Sequence, residues 1–125
     1  MITKNQSQED YLEAIYVLSK EDEHARMSDV AKHLSVSKPS VNKAINLLQE
    51  KGYLTHQHYG AILLTEEGKA LAKKVYERHK VIKRFFVDIL KVEETIAEDE
   101  ACKVEHCIGE DTLEKLKEFV NRVLD

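Results

Sequence analysis

One proline stands in this chain of 125 residues, at position 39, and it dictates where a helix has to begin. A proline ring holds φ near the helical value and has no N–H, so it fits the first turn of a helix and breaks the interior. Ser37 is placed as the N-cap of that helix, and Val36 and Val41 occupy the N′ and N4 positions of a hydrophobic staple. The helix is expected from about Lys38 to Lys51, with Val41, Ala44, Ile45 and Leu48 on its buried face and Gly52 ending it. Upstream, Ser28 caps a short helix from Asp29 to Leu34, and Leu34-Ser35-Val36-Ser37 is a tight turn. Downstream, Tyr53-Leu54-Thr55 and Ile62-Leu63-Leu64 read as two short strands, joined into a hairpin by His56-Gln57-His58-Tyr59-Gly60. Helix, tight turn, helix and hairpin, in that order, make a winged helix-turn-helix with a two-stranded wing.

The remaining chain is helical by the same reasoning, since it contains no second proline and only four glycines are spread along the whole sequence. A first helix is expected from Gln8 to Lys20, capped by Ser7, with Glu9 and Asp10 in its first turn and Tyr11, Ala14, Ile15 and Leu18 on its apolar stripe. Residues 21 to 25 form a polar connection. Thr65 caps a long helix from Glu66 to about Leu90, striped by Leu71, Val75, Ile82, Phe86 and Ile89. A fifth helix covers about Glu93 to Cys107, Gly109 interrupts, and a last helix starts at Asp111 or Thr112 and ends at Leu124. The expected architecture is mainly α: residues 1–72 form the winged helix-turn-helix and residues 73–125 an all-helical domain.

Net charge is −4, which by itself does not suit a nucleic-acid binder. The distribution does. Residues 32–59 hold four lysines against one glutamate, while residues 93–125 hold four basic against eleven acidic residues. On the Lys38–Lys51 helix the outward positions near the N-terminus are Lys38, Ser40, Asn42 and Lys43, with Ser37 and Pro39 beside them. Small hydroxyl and amide side chains suit base edges, and lysines suit phosphates. The wing tip, with Tyr59, is placed for the backbone or the minor groove. The bland reading of the charge asymmetry is solvated helix faces, and of the helix-turn-helix a protein-interaction module.

A second chemistry lies near the end of the chain. Cys102, Glu105 and His106 put a thiol, a carboxylate and an imidazole at i, i+3 and i+4, on one face of a helix. Thiolate and imidazole favour Fe(II), Co(II), Ni(II) or Zn(II), while carboxylates also suit Mn(II). Asp10 and Glu13 share a face of the first helix, His79 points inward between Val75, Ile82 and Phe86, and Glu98 lies one turn before Cys102. Spacing alone leaves the plainer readings open: an inward histidine is often a satisfied core residue, Cys102 can be plain core, and Asp10 can serve a helix start. Cys102 and Cys107 lie on different helix faces, so a disulfide framework is not expected. No run of the chain reaches the roughly 18 apolar residues that span a bilayer, and the first residues have no apolar signal core, so a cytoplasmic location is expected.

Taken together, the chain resembles the diphtheria toxin repressor family, which includes iron-dependent repressors and manganese transport regulators. The resemblance runs from about Gln8 to Leu124. It is carried by Asp10-Tyr11-Leu12-Glu13-Ala14-Ile15-Tyr16, Val36-Ser37-Lys38-Pro39-Ser40-Val41, Leu64-Thr65-Glu66-Glu67-Gly68, Arg78-His79, and most specifically Asp99-Glu100-Ala101-Cys102-Lys103-Val104-Glu105-His106. It implies a homodimer that binds a palindromic operator when loaded with Fe(II) or Mn(II), represses metal-uptake genes, and accepts Co(II), Ni(II) or Zn(II) in vitro. It further implies a primary site of Asp10, Cys102, Glu105 and His106, with His79 in a second, ancillary site. The chain departs from both branches. The iron branch has Met where Asp10 stands, and the manganese branch has Glu where Cys102 stands. The iron branch also has Glu at the position of Lys83 and His at that of Glu98, which leaves Glu13 and Glu98 as candidates for a second site. Many iron-branch members carry a third, SH3-like domain, and the expectation here is a two-domain version.

Two rival readings remain at this stage. A winged-helix transcription factor answering a signal other than metal would keep its operator affinity in a chelator. A small metalloenzyme would need a nucleophile–base pair, and none is placed for one, so the chain reads as a non-enzyme.

Overall fold

The start of each helix is decided within two or three residues, and those residues fix the architecture. The structure, a computed structural model, describes residues 4–20, 23–57 and 60–125, with side chains described from residue 8 on. It holds two compact units, Met1–Lys73 and Lys74–Asp125.

The first unit contains α1 (Lys4–Leu18), β1 (Ala25–Arg26), α2 (Met27–Leu34), α3 (Lys38–Glu50), β2 (Leu54–His56) and β3 (Ala61–Leu64), followed by the first turns of α4 (Glu66–Arg84). Two starts differ from expectation. The first helix begins at Lys4, so Ser7 lies inside it, and no acidic residue falls in its first turn. The second begins at Met27 with Arg26 as an extended N-cap, and Ser28 lies inside it. The reason is β1, which runs straight into the helix and leaves Arg26 to serve both elements. Strand β1 falls at the end of the stretch read as a polar connection. It adds a third strand to the expected two-stranded hairpin, in the antiparallel order β1-β3-β2. Leu54 pairs with Leu64 and His56 with Ile62, while Ala25 pairs with Ile62 from the other side.

The turn between α2 and α3 is closed by Ser35 in the left-handed region (φ 56°), with Val36 N–H bonded to Ala31 O at 3.0 Å. Helix α3 starts as expected: Ser37 accepts the Ser40 N–H at 3.2 Å and Pro39 sits in the first turn. It stops in a full Schellman motif, with Tyr53 N–H to Leu48 O and Gly52 N–H to Gln49 O, both 3.0 Å. Val41, Ile45 and Leu48 join Leu12, Ile15, Val30, Leu54 and Ile62 in one core cluster. Val36 stays exposed.

Thr65 starts α4 as expected. Its hydroxyl accepts the Gly68 N–H at 3.1 Å and donates to Gly52 O at 2.7 Å, tying the helix to the end of α3. In the second unit α4 does not continue to Leu90. From Phe85 to Ile89 it widens into a π-helical turn, with Leu90 N–H bonded to Phe85 O at 3.1 Å, and Lys91 then turns left-handed (φ 61°). A hydrophobic stripe read at 3.6 residues per turn does not register such a widening. Helices α5 (Glu94–Val104) and α6 (Glu110–Leu124) complete the unit, with Val75, Ile82, Ala97, Ala101 and Val120 buried. Phe85 packs edge-on against Phe119 of α6, ring centres 6.3 Å apart.

Two predictions follow from these helix ends. A Cβ on Gly68 would lie 1.9 Å from Tyr53 O. Gly68→Ala should therefore destabilise by about 1–3 kcal/mol, as overpacking does, where a mid-helix Gly→Ala would otherwise stabilise. A raised melting temperature would refute the close approach. At the start of α5, Glu93 accepts hydrogen bonds from the Thr95 hydroxyl and, at 3.1 Å, from Ile96 N–H, and these bonds hold its carboxyl below the ordinary value of 4.5. A depressed folded-state pKa gives stability that is present above the unfolded value and lost as pH falls through the folded one. The melting-temperature gap between wild type and Glu93→Ala should be widest near neutrality and close as the pH falls through the lowered folded-state value.

Candidate metal centre and nucleic-acid surface

In the first unit, the face of α3 expected to meet nucleic acid is open to solvent. Ser37, Lys38, Pro39, Ser40, Asn42 and Lys43 are all exposed, while Val41 between them is buried. The Ser37 hydroxyl is engaged by the helix start and also donates to Ser40 Oγ at 2.9 Å. That leaves Lys38, Asn42 and Lys43 as the free-standing polar side chains of the first two turns. Tyr59, the expected wing residue, lies outside the described residues. Asp10 and Glu13 stand one turn apart on α1, both partly buried, and each offers a carboxylate oxygen within 4.8 Å of the other's.

In the second unit, the expected donors gather around one carboxylate. Glu105 has no exposed surface. Its Oε2 is 3.0 Å from His79 Nδ1, and its Oε1 is 3.4 Å from His106 Nε2. Cys102 Sγ and a Glu105 oxygen are within 4.8 Å. Glu105 Oε1 makes no hydrogen bond with any described residue, His106 Nε2 at 3.4 Å included. A buried carboxylate oxygen without a donor is costly unless a cation compensates it. A thiol, a carboxylate and imidazoles gathered at the buried Glu105 are the donor types that divalent transition metals prefer, so the residues present fit such an ion.

The local backbone differs from the expected continuous helix. Helix α5 ends at Val104. Glu105 keeps helical dihedrals as the C-cap (φ −57°, ψ −25°) and His106 follows in a turn. The i, i+3 relation of Cys102 and Glu105 survives because Glu105 N–H still bonds Ala101 O at 3.0 Å. The helix end is tightened by Cys107 N–H to Val104 O, 2.9 Å, and the Arg78 guanidinium donates to the otherwise orphaned Glu105 carbonyl at 3.0 Å.

The resemblance sets His79 apart from Glu105, in an ancillary site, but the structure brings the two into direct contact. Glu98 meets the other nitrogen of the same ring, Nε2. Sequence reasoning did not anticipate the contacts of Arg78, Lys83 and Glu94 here. Lys83 Nζ is 3.4 Å from Glu98 Oε1 and 3.5 Å from Glu94 Oε1. Partial burial draws the Lys83 pKa down, but Glu98 and Glu94 outweigh it and leave it raised. The i, i+4 spacing of Glu94 and Glu98 was the only signal in the sequence for that ion pair.

Residues 4–62 match the family profile described as the iron dependent repressor N-terminal DNA binding domain, and residues 65–124 match the iron dependent repressor metal binding and dimerisation domain. An HTH-type transcriptional regulator of Methanocaldococcus jannaschii is 39% identical over 97% of this chain and 98% of its own length. The HTH-type transcriptional regulator MntR of Bacillus pumilus is 33% identical over 91% of this chain and 78% of its own. Among solved structures, the manganese regulator SloR superposes with a TM-score of 0.82 at 32% identity, covering 91% of this chain and 53% of that one. The IdeR structure from T. acidophilum gives the same TM-score at 23% identity, covering 97% of this chain and 55% of that one, and supports the fold. The chain spans about half the length of these solved structures. These domain matches and relatives define a metal-dependent transcriptional regulator. The chain belongs to the iron-dependent repressor family, also known as the diphtheria toxin repressor family, and carries both its DNA-binding and its metal-binding and dimerisation domains.

Proposed function

We propose that this protein is a cytoplasmic repressor that binds a palindromic operator as a homodimer when loaded with Fe(II) or Mn(II), and so controls metal uptake. The observation that carries the reading is the fully buried Glu105, whose Oε1 makes no hydrogen bond among the described residues, beside two imidazoles and a thiol. Residues 1–72 would contact DNA, and residues 73–125 would dimerise and hold the metal.

In this proposal Cys102, Glu105 and His106 bind the ion from the second unit, with His79 presenting Nδ1 beside Glu105. Asp10 supplies a ligand from the first unit, and Glu13, one turn on, is placed to add another or to hold Asp10. A bound divalent cation supplies the positive charge that Glu105 otherwise lacks. Donors drawn from both units fix one unit against the other when they share an ion. In a homodimer this sets the separation of the two α3 helices, which has to match one turn of DNA, roughly 34 Å. The metal and DNA sites are then coupled, and the coupling is reciprocal. The α3 residues divide the work: Lys38 and Lys43 contact phosphates, Ser40 and Asn42 reach base edges, and Ser37 and Pro39 set the helix start against the backbone. Tyr59 would approach DNA from the wing.

Fluorescence anisotropy on a palindromic duplex, with Mn(II), Fe(II), Co(II) and Zn(II) titrated separately, tests the reading. Metal should raise affinity and a chelator should abolish the gain. Glu105→Ala should keep the helical circular-dichroism signature and lose the metal stimulation; undiminished stimulation would reject the ligand assignment. Lys38→Ala should weaken binding to all duplexes alike and reduce the slope of log K against log salt by about one. A variant slope equal to that of wild type would remove Lys38 from the phosphate contacts.

A further inference from the structure

The His79 ring stands between two carboxylates of its own unit. Nδ1 is 3.0 Å from Glu105 Oε2, and Nε2 is in contact with Glu98 Oε2. The other Glu98 oxygen lies 3.4 Å from the Lys83 ammonium, which also stands 3.5 Å from Glu94. An ammonium, a carboxylate, an imidazole and a second carboxylate therefore form one chain, running from a half-exposed Glu98 to a Glu105 with no exposed surface.

The chemistry of this chain is directional. An ionised carboxylate can only accept, and each ring nitrogen faces one, so a neutral ring can donate to Glu98 or to Glu105 but not to both. A neutral imidazole has one N–H and one lone pair, so a cation at Glu105 would call for the lone pair on Nδ1 and leave the N–H on Nε2, facing Glu98. The two ring nitrogens point apart, so a group bonded at Nε2 is on the far side of the ring from whatever Nδ1 binds. Lys83 neutralises the charge of Glu98 and fills the space beside Glu94 and Glu98 with a cation of the protein's own.

We propose that Glu98 is a positioning residue and not a ligand. It fixes His79 as the Nε2–H tautomer and so delivers Nδ1 to the ion at Glu105, and Lys83 holds Glu98 in place. The inference rests on the metal reading above and assigns a role to two residues outside the donor set. Carboxylates that orient a ligating histidine typically contribute 10- to 100-fold to metal affinity.

Zinc alone is a suitable probe because it is diamagnetic. Nitrogen-15 NMR of histidine-labelled, zinc-loaded protein should show His79 bound through Nδ1 with a protected Nε2–H. Isothermal titration should show Glu98→Ala binding Zn(II) about 10- to 100-fold more weakly. Glu98→Gln, whose amide oxygen can still accept from Nε2–H, should recover most of that loss. The Glu98 side chain is 53% exposed, so neither variant should perturb the metal-free melting temperature beyond the small effect of a surface change. Coordination through Nε2, or a Glu98→Ala affinity within twofold of wild type, would overturn the positioning role while leaving the metal reading intact. Wild-type protein that takes up no Zn(II), or whose uptake survives Glu105→Ala, would remove the metal reading and this inference together.

Discussion

Burying an ionised carboxylate costs several kcal/mol even after the protein relaxes, and Glu105 is buried completely. Much of the second unit reads as an answer to that constraint. The Glu105 carbonyl is met by Arg78, its Oε2 by His79, and its Oε1 lies 3.4 Å from His106 Nε2 without a hydrogen bond. The polar groups come from two helices, α4 and the end of α5, so the packing of those helices depends on how the charge is resolved. In a stability-optimised core an apolar residue would serve better at position 105. An acid kept there, with one oxygen making no hydrogen bond among the described residues, does not serve the stability of the fold.

The first unit depends on local geometry instead. The boundaries around α3 are set by caps within a few residues: Ser35 in the left-handed region, the Ser37 hydroxyl on Ser40 N–H, the Schellman closure at Gly52, and Thr65 bridging α4 to Gly52 O. These bonds orient α3 without drawing on its outward side chains beyond Ser37 and Ser40. The remaining polar groups of its first two turns are thus available to a partner.

This difference explains what could be read from the sequence. Ser37, Pro39, Gly52 and Thr65 act on their immediate neighbours, so their roles were visible as short motifs. Ser7 and Ser28 carried the same signal and were not used, because an earlier helix start or an adjoining strand took over the boundary. Strand β1 has two residues and exists only through pairing with β3, some 36 positions away, which local patterning does not encode. The widening at Phe85–Ile89 was hidden because apolar residues still recur, only at a longer period. The ligand types at Cys102, Glu105 and His106 were legible from spacing. That His79 touches Glu105, 26 residues away, was not, and neither was the ion pair that places Lys83 on Glu98.

The donor chemistry also bears on which ion such a cluster selects. A thiolate at Cys102 would raise affinity most for softer ions such as Fe(II) and Zn(II), whereas a carboxylate such as Glu105 suits the harder Mn(II). Affinity in mixed nitrogen, oxygen and sulfur sites follows a general order in which Mn(II) is weakest, so a cluster containing Cys102 would not favour Mn(II) on affinity alone. Selection would then depend on geometry and on metal availability. Geometry is where an oriented His79 matters: a ring fixed by Glu98 and Lys83 offers Nδ1 along one direction only and penalises ions whose preferred coordination places a ligand elsewhere. In the proposed site the mixture of thiol and carboxylate would set the range of ions that bind, and the outer carboxylate and ammonium would narrow that range by fixing where one ligand sits.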